Sequence, residues 1–178
     1  MPVAGGWLAG GRLAGQRVAV IAEDHVALDG AQGGLIRALL DGGAEVLALS
    51  PQDDLFDLPP APLLADGSQR RLAFAQFRLD DSEGLPFRRR STVASLPSRL
   101  ADWQPTAVFA AGARTAAHGA IAGRAAGARN VILLAQGLSR PAGVDGRRRG
   151  WIGDELQRRR RAQAIRASDL VVLGSVSE

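Results

Sequence analysis

The sequence predicts an α/β fold: a doubly wound, mostly parallel, Rossmann-like sheet of about six strands with helices on both faces. Short apolar runs rich in β-branched residues recur along the chain, which is typical of buried parallel strands. They alternate with segments of helical periodicity, and this alternation is typical of βαβ units. At 178 residues and 46% hydrophobic composition, the chain suits one globular domain. A flavodoxin-like fold with fewer strands is the alternative.

Six segments carry the strand signal. The first is a continuous apolar run that leads into a polar loop, and the third alternates between apolar and polar residues, which predicts a position near the edge of the sheet. The predicted strands are residues 17–22, 45–49, 72–79, 105–111, 130–134 and 170–173.

The helix after the first strand has recognisable start and stop signals. Asp29 is a candidate N-cap, and Gln32, three residues later, would complete a capping box. An apolar stripe over residues 35–40 follows, and Gly42 would end the helix. Further helices are predicted at residues 92–103, with Pro97 causing a kink or a late start, and at 115–126 and 154–167.

Two glycines lie inside the predicted helix at residues 115–126. Gly119 and Gly123 are one turn apart and share a face. Because each glycine costs a helix about 1 kcal/mol, we expect this face to approach the sheet closely. Gly127 is the expected end of the helix.

The domain organisation follows from where periodicity begins. Residues 1–16 are rich in glycine and alanine and predict a loose N-terminal tail. Residues 17–178 then form the predicted domain.

Composition excludes several kinds of chemistry. All 22 basic residues are arginine, so the chain has no P-loop lysine, Schiff-base lysine or pyridoxal anchor. It has no cysteine, and therefore no thiol nucleophile, thiolate metal site or disulfide. Its two histidines, His25 and His118, do not form a zinc-protease motif, and we expect no metal site.

The sequence also bears on localisation. No apolar run reaches the length of a transmembrane helix. The N-terminus lacks a basic region before its apolar residues, so it does not resemble a signal peptide. A cytoplasmic protein is expected.

Several stretches resemble, in order, the N-terminal domain of family 4-type glycosyltransferases of the GT-B fold. Residues 35–46 (LIRALLDGGAEV) look like the family's l-l-x-a-L-x-x-x-G-h-e-V opening. Residues 100–108 (LADWQPTAV) look like l-x-x-x-x-P-D-v-v, with Thr106 in place of the acid. Residues 120–129 (AIAGRAAGAR) resemble g-x-l-A-x-r-l-a-G-v-p, and residues 165–175 (IRASDLVVLGS) resemble a-x-x-a-D-x-v-i-x-x-S.

The chain departs from the family pattern at two loops. Gln136 and Gly137 lie where a subgroup has a Gly-Leu-Gly turn, but Ser139 replaces its last glycine. The family often has a histidine-containing loop after the fourth strand, whereas this chain has residues 110–114 (AAGAR). Acceptor contacts at that loop are therefore an open question.

The resemblance implies a function. This domain would bind a saccharide or lipid-linked acceptor, which receives a sugar from a nucleotide-sugar donor in cell-surface polysaccharide or glycolipid synthesis. The donor would be held by a second Rossmann-like domain with an E-x7-E motif, which these 178 residues lack; without it we expect no activity. The alternatives are a non-catalytic subunit that recruits a separate catalytic half to the membrane, and an inactive remnant.

Ligands of open α/β sheets bind beyond the carboxyl ends of the strands, which identifies candidate acceptor-binding residues. The loop after the first strand lacks G-x-G-x-x-G, and its two acids would repel a pyrophosphate, which argues against a dehydrogenase. The same acids suit sugar hydroxyls. The candidates are Glu23, Asp24, His25, Arg114, His118, Gln136 and Gly137.

The two histidines each have a structural alternative. His25 is the candidate catalytic residue, as a general base or an acceptor ligand, although a loop histidine can simply be solvated. His118 would lie in the first turn of the glycine-bearing helix, where the helix dipole favours its neutral form. A packed or solvated role is the alternative for His118.

Arginine clusters are the remaining signal. Residues 88–90, 147–149 and 158–161 are all arginine. Consecutive helical residues are about 100° apart, so Arg158, Arg159, Arg160 and Arg161, here called the arginine run, cannot all face water on one side. They are candidates for peripheral contact with an anionic membrane at its inner face; solvated surface charge is the alternative. Nucleic acid is not expected, because no aromatic platform accompanies the charge.

Overall fold

The computed structural model describes residues 12–30, 32–51, 71–78, 94–112, 115–134 and 151–172. All six predicted strands are present within these ranges, and their bounds differ from the predicted ones by a few residues at most. In chain order the elements are β1 (Arg17–Ile21), α1 (His25–Asp29), α2 (Gly33–Asp41), β2 (Glu45–Pro51), β3 (Leu72–Phe77), α3 (Leu96–Trp103), β4 (Ala107–Ala111), α4 (Thr115–Ala125), β5 (Asn130–Leu134), α5 (Trp151–Ala167) and β6 (Leu170–Val172).

The six strands form one sheet in the order β3-β2-β1-β4-β5-β6, and every neighbouring pair is parallel. This is the strand order of the Rossmann fold, whereas a flavodoxin-like sheet has the order 2-1-3-4-5. The predicted Rossmann-like fold is therefore confirmed and the flavodoxin-like alternative is wrong. As predicted from its alternating pattern, β3 lies at an edge.

Helices cover both faces of the sheet, as predicted. Successive strand residues point to opposite faces, so Val20 and Ile21 of β1 belong to different core clusters. The cluster that contains Val20 includes side chains from α1 and α2. The cluster that contains Ile21 includes side chains from α3, α4 and α5. The doubly wound arrangement follows from this division.

The glycines of α4 lie against the sheet, which confirms the close approach predicted for them. A Cβ added to Gly119 would lie 2.8 Å from the Cβ of Ala110 and 2.9 Å from Cδ1 of Ile21. A Cβ added to Gly123 would lie 2.9 Å from Cγ2 of Val108. Any larger residue at either position would force the helix off the strands.

The predicted capping box is wrong. Two helices, α1 and α2, replace the single helix predicted between β1 and β2. Asp24 caps α1: its backbone is extended (φ −155°, ψ 177°), and its side chain accepts a hydrogen bond from the N–H of Ala27. Asp29 is the last residue of α1, so it cannot cap the next helix. Gln32 is the N-cap of α2 but makes no side-chain capping bond.

Other boundaries differ in smaller ways. α3 begins at Leu96 with Ser95 as its N-cap, and Pro97 falls in the first turn, where it is tolerated. This is the late start rather than the kink. α5 begins three residues earlier than predicted. In the described part of the predicted tail, the N–H of Leu13 donates to the carbonyl of Gly42, and Leu13 packs against the core.

Candidate functional site

The candidate site lies where the strand order of the sheet reverses, between β1 and β4. The chain adds β2 and β3 on one side of β1, and β4 on the other. Ile21, the last residue of β1, pairs with Ala110 of β4, so the loops that follow these two strands leave the sheet side by side. A crevice at such a switch point is the usual ligand site of an open α/β sheet.

Gly112 brings the two loops together. Its φ of +101° lies in the region that favours glycine. A Cβ added here would lie 2.6 Å from Oγ1 of Thr115, 2.8 Å from Cβ of Glu23 and 2.9 Å from Oε2 of Glu23. The carboxylate from the first loop and the hydroxyl from α4 therefore both pack over the Gly112 backbone, and only glycine leaves room for them.

Thr115 anchors the start of α4. It is fully buried, and its hydroxyl donates a hydrogen bond to the carbonyl oxygen of Ala111 at the end of β4. The N–H of Ala116 donates to the carbonyl of Gly112. Because the proton of the Thr115 hydroxyl is used internally, its oxygen can act towards a neighbour only as an acceptor.

Glu23 and Asp24, adjacent in the sequence, have different surroundings. Glu23 is half-buried and faces the loop after β4. Asp24 is exposed, and its Oδ1 accepts from the Ala27 N–H at 2.7 Å. Helix capping is therefore a sufficient structural reason for Asp24, whereas the pairing of β1 with β4 brings Glu23 close to the start of α4.

The two histidines lie in the first turns of two helices at this end of the sheet. The backbone of His25 forms the first residue of α1. His118 lies in the first turn of α4, as predicted, and is half-buried. Since α4 runs back from the carboxyl end of β4, its first turn is on the same edge of the sheet as Glu23. Three further candidates, Arg114, Gln136 and Gly137, lie outside the described residues.

The arginine run is in a different place. It belongs to α5, which packs on α4 and β5. Arg158 and Arg159 are exposed, whereas Arg160 and Arg161 are half-buried. The four residues are thus not equally exposed to water, in line with the expectation that they cannot all face water on one side. The other two arginine clusters, residues 88–90 and 147–149, lie outside the described residues.

Sequence reasoning missed the part played by Thr115. The loop after the fourth strand was predicted to line the site, but the threonine at the start of the next helix was not singled out. Only the pairing of β1 with β4 brings it next to Glu23.

Further observations bear on the choice of function. In the ranges that the structure describes, no cluster of three or more His, Cys, Asp or Glu residues could hold a metal ion. No helix within those ranges is long and apolar enough to cross a bilayer. Comparison with protein-family models finds no match to this chain, and comparison with curated proteins finds none either.

Proposed function

We propose that this chain is the acceptor-binding half of a glycosyltransferase of the family 4 type. Two kinds of observation support the proposal. The sequence segments that resemble the family occur in the family's order from residue 17 to residue 175, and the fold is the Rossmann-like sheet that the resemblance implies. A shared fold alone does not imply a shared function, so further support must come from the residues of the site.

The observation that carries the proposal is the position of Glu23 where the strand order reverses, between the carboxyl ends of β1 and β4. A carboxylate from Glu23 and the oxygen of Thr115 converge over Gly112. The carboxylate of Glu23, which is half-buried, can accept hydrogen bonds, and the hydroxyls of a sugar are donors that match it. A nucleotide pyrophosphate would instead meet a like charge. The crevice therefore suits a neutral, hydroxylated ligand better than a dinucleotide.

The reaction class comes from the resemblance. An acceptor hydroxyl would attack the anomeric carbon of the donor sugar, a new C–O bond would form, and the bond from that carbon to the nucleotide phosphate would break. The acceptor proton must pass to a base, and His25 is the candidate. The remaining candidate acceptor ligands are Asp24, Arg114, His118, Gln136 and Gly137. The nucleotide sugar would be held by a second domain.

Calorimetry tests the proposal directly. We expect the chain alone to show no micromolar binding to uridine- or guanosine-linked sugars and no transfer from them, because catalysis needs both reactants held together, and such proximity supplies about 7–11 kcal/mol. Neutral oligosaccharides should bind more weakly to Glu23→Ala than to the parent. Glu45→Ala is the matched control, because Glu45 is exposed at the amino end of β2. Micromolar binding of a nucleotide sugar would mean that the half or the family is wrong.

A second candidate function is recruitment of a separate catalytic half to a membrane. The observation that favours it is the arginine run on α5, together with the exposed Ile165 on the same helix. Each arginine near an anionic surface contributes roughly 1 kcal/mol, which salt screens.

Vesicle sedimentation tests the membrane candidate. The parent should bind phosphatidylserine-containing vesicles weakly and release them as salt is raised. A variant with all four residues of the arginine run changed to Gln should bind less. Arg37→Gln, on α2 and also exposed, is the control for loss of a single charge elsewhere. Absence of binding by the parent, or equal binding by the four-Gln variant, would rule this candidate out.

A further inference from the structure

The edge strand β6 carries exposed apolar side chains. In the described part of the chain, the large hydrophobic residues with the highest exposure are Val26, Ile165, Leu170 and Val172. Three of these four fall within residues 165–172, and the two on β6 are 54% and 42% exposed. Leu170 lies opposite Ile132 and Val172 opposite Leu134, and none of these residues belongs to either core cluster. Exposed apolar groups are therefore concentrated at this edge rather than scattered over the surface.

The two edge strands of the sheet differ in how they are protected. Free strand edges are usually guarded by charged residues or proline, which discourage pairing with another strand. At one edge, Arg71 and Arg78 flank β3. At the other, β6 consists of Leu-Val-Val and contains neither a charge nor a proline. Asp169, just before it, pairs with Arg124 of the same chain. The edge of β6 thus lacks the usual protection.

Val171 presents the backbone groups on the outer side of β6. The N–H and carbonyl of Val131 both point towards β6, because the N–H donates to the Asp169 side chain and the carbonyl accepts from the Asp169 N–H. Backbone directions alternate along a strand, so Leu133 also faces β6. In a parallel pair, a residue that faces the neighbouring strand bonds to the residues on either side of its partner. The partner of Leu133 is Val171, so Val171 faces outward, where no described strand pairs with it.

We propose that β6 is a dimer interface, at which the strand pairs antiparallel with β6 of a second copy of this chain about a two-fold axis at Val171. Each Val171 N–H then donates to the Val171 carbonyl of the other copy, so both outward groups are satisfied. Leu170 faces Val172 of the second copy, and the reverse contact forms across the axis, so apolar side chains match. Because β6 has no charge and Asp169 is paired within its own chain, the strands meet without like-charge repulsion.

The size and chemistry of the edge predict the partner and the strength of binding. A charged protein would find no counter-charge on β6 itself, which favours a second copy over an acidic or basic partner. A three-residue strand offers much less than the roughly 800 Å² per partner of a stable complex. The dimer should therefore be weak and form as the protein concentration rises. The interface does not include the crevice between β1 and β4, so the inference is independent of the proposed function.

Sedimentation equilibrium of the whole chain, from micromolar to millimolar concentration, measures the dimer. The average mass of the parent should rise from that of the monomer towards that of the dimer. Leu170→Lys and Val172→Glu should each weaken association at least about tenfold, because each places a charge against an apolar side chain. A variant with both changes should regain association, because each lysine would face a glutamate of the second copy. Val26→Lys is the matched control, since Val26 is exposed on α1, away from β6, and it should associate like the parent.

Hydrogen exchange at the Val171 amide is a second readout, and exchange should slow as the protein concentration rises. Amide NMR spectra of each variant check that the domain is folded. A parent that stays monomeric at millimolar concentration would overturn the proposal. Association that both single variants leave intact would do the same, and so would a folded double variant that fails to regain it.

Discussion

At the amino ends of the strands, charged and hydroxyl side chains bond to the backbone of neighbouring elements, whereas at the carboxyl ends Glu23 and Thr115 pack over the backbone of Gly112. Arg124, at the end of α4, pairs with Asp169 at 2.7 Å and donates to the carbonyl of Ala167. The same oxygen of Asp169 accepts from the Val131 N–H at 2.7 Å. These bonds join α4, β5 and the start of β6.

Side chain–backbone hydrogen bonds are also found at the start of β1. The Thr106 hydroxyl accepts from the N–H of Arg17 and donates to its carbonyl. The guanidinium of Arg17 lies 4.7 Å from the ring centroid of Trp103 and 3.6 Å from a Glu45 oxygen. The Thr106 hydroxyl and the Arg17 backbone thus satisfy each other's hydrogen bonds at this edge.

The carboxyl edge differs in what its polar groups join. Glu23 and Thr115 meet over Gly112 at the switch point, beside the start of α4. Thr115 bonds to its own strand, and Asp24 caps its own helix. Two positions at the amino edge, Thr106 and Asp169, thus have a structural explanation in the bonds that they make.

The largest expected effect concerns α4, which connects the two edges. Gly123→Leu should destabilise the domain by about 1–3 kcal/mol or more, because overpacking forces the helix away from Val108. Chemical denaturation measures the loss. Gly34→Leu is the control: Gly34 lies in α2, where an added Cβ would meet nothing within 4 Å. Equal midpoints for Gly123→Leu and the parent would show that this helix face does not pack on the sheet.

The next effect concerns the amino edge and its dependence on pH. The hydrogen bond from the Val131 N–H, followed by the bond and charge of Arg124, lowers the pKa of Asp169 below its usual value of 3.8. A depressed folded-state pKa contributes stability that is present above the unfolded pKa and is lost as pH falls through the folded pKa. Asp169→Asn should therefore be less stable than the parent near neutral pH, and the gap should shrink below pH 3.8.

Thermal denaturation of both proteins, from neutral pH to below pH 3.8 in a buffer series of constant ionic strength, checks this prediction. The Glu23→Gln variant provides the comparison between the two edges. We expect it to lose less stability at neutral pH than Asp169→Asn does. A loss for Glu23→Gln as large as that for Asp169→Asn would remove the distinction between a structural edge and a ligand-binding edge.

Much of the fold could be predicted from the sequence because the relevant signals are local. The β-branched apolar runs, such as the one at β1, identify strands, and Gly119 and Gly123 indicate a close helix–sheet contact. The division into α1 and α2 was missed because Asp24 and Asp29 are both plausible caps, and the backbone angles decide between them.

The candidate site was harder to predict because it depends on distant pairing. Residues after a strand can be assigned to the carboxyl edge from the sequence, and Glu23 and His118 were placed there correctly. The contact of Glu23 with Thr115 depends on the register of β1 and β4. The bond between Arg124 and Asp169 likewise joins segments far apart in the chain, and no local pattern predicts it.

If the proposed function is right, a neutral, hydroxylated ligand binds at the carboxyl edge between β1 and β4. Amide NMR spectra of the chain, titrated with a panel of neutral di- and oligosaccharides, test it most directly. We expect saturable shifts at Glu23, Gly112 and Thr115, with Arg124 and Asp169 unchanged. Shifts confined to the amino edge, or no saturable shift with any saccharide of the panel, would contradict it.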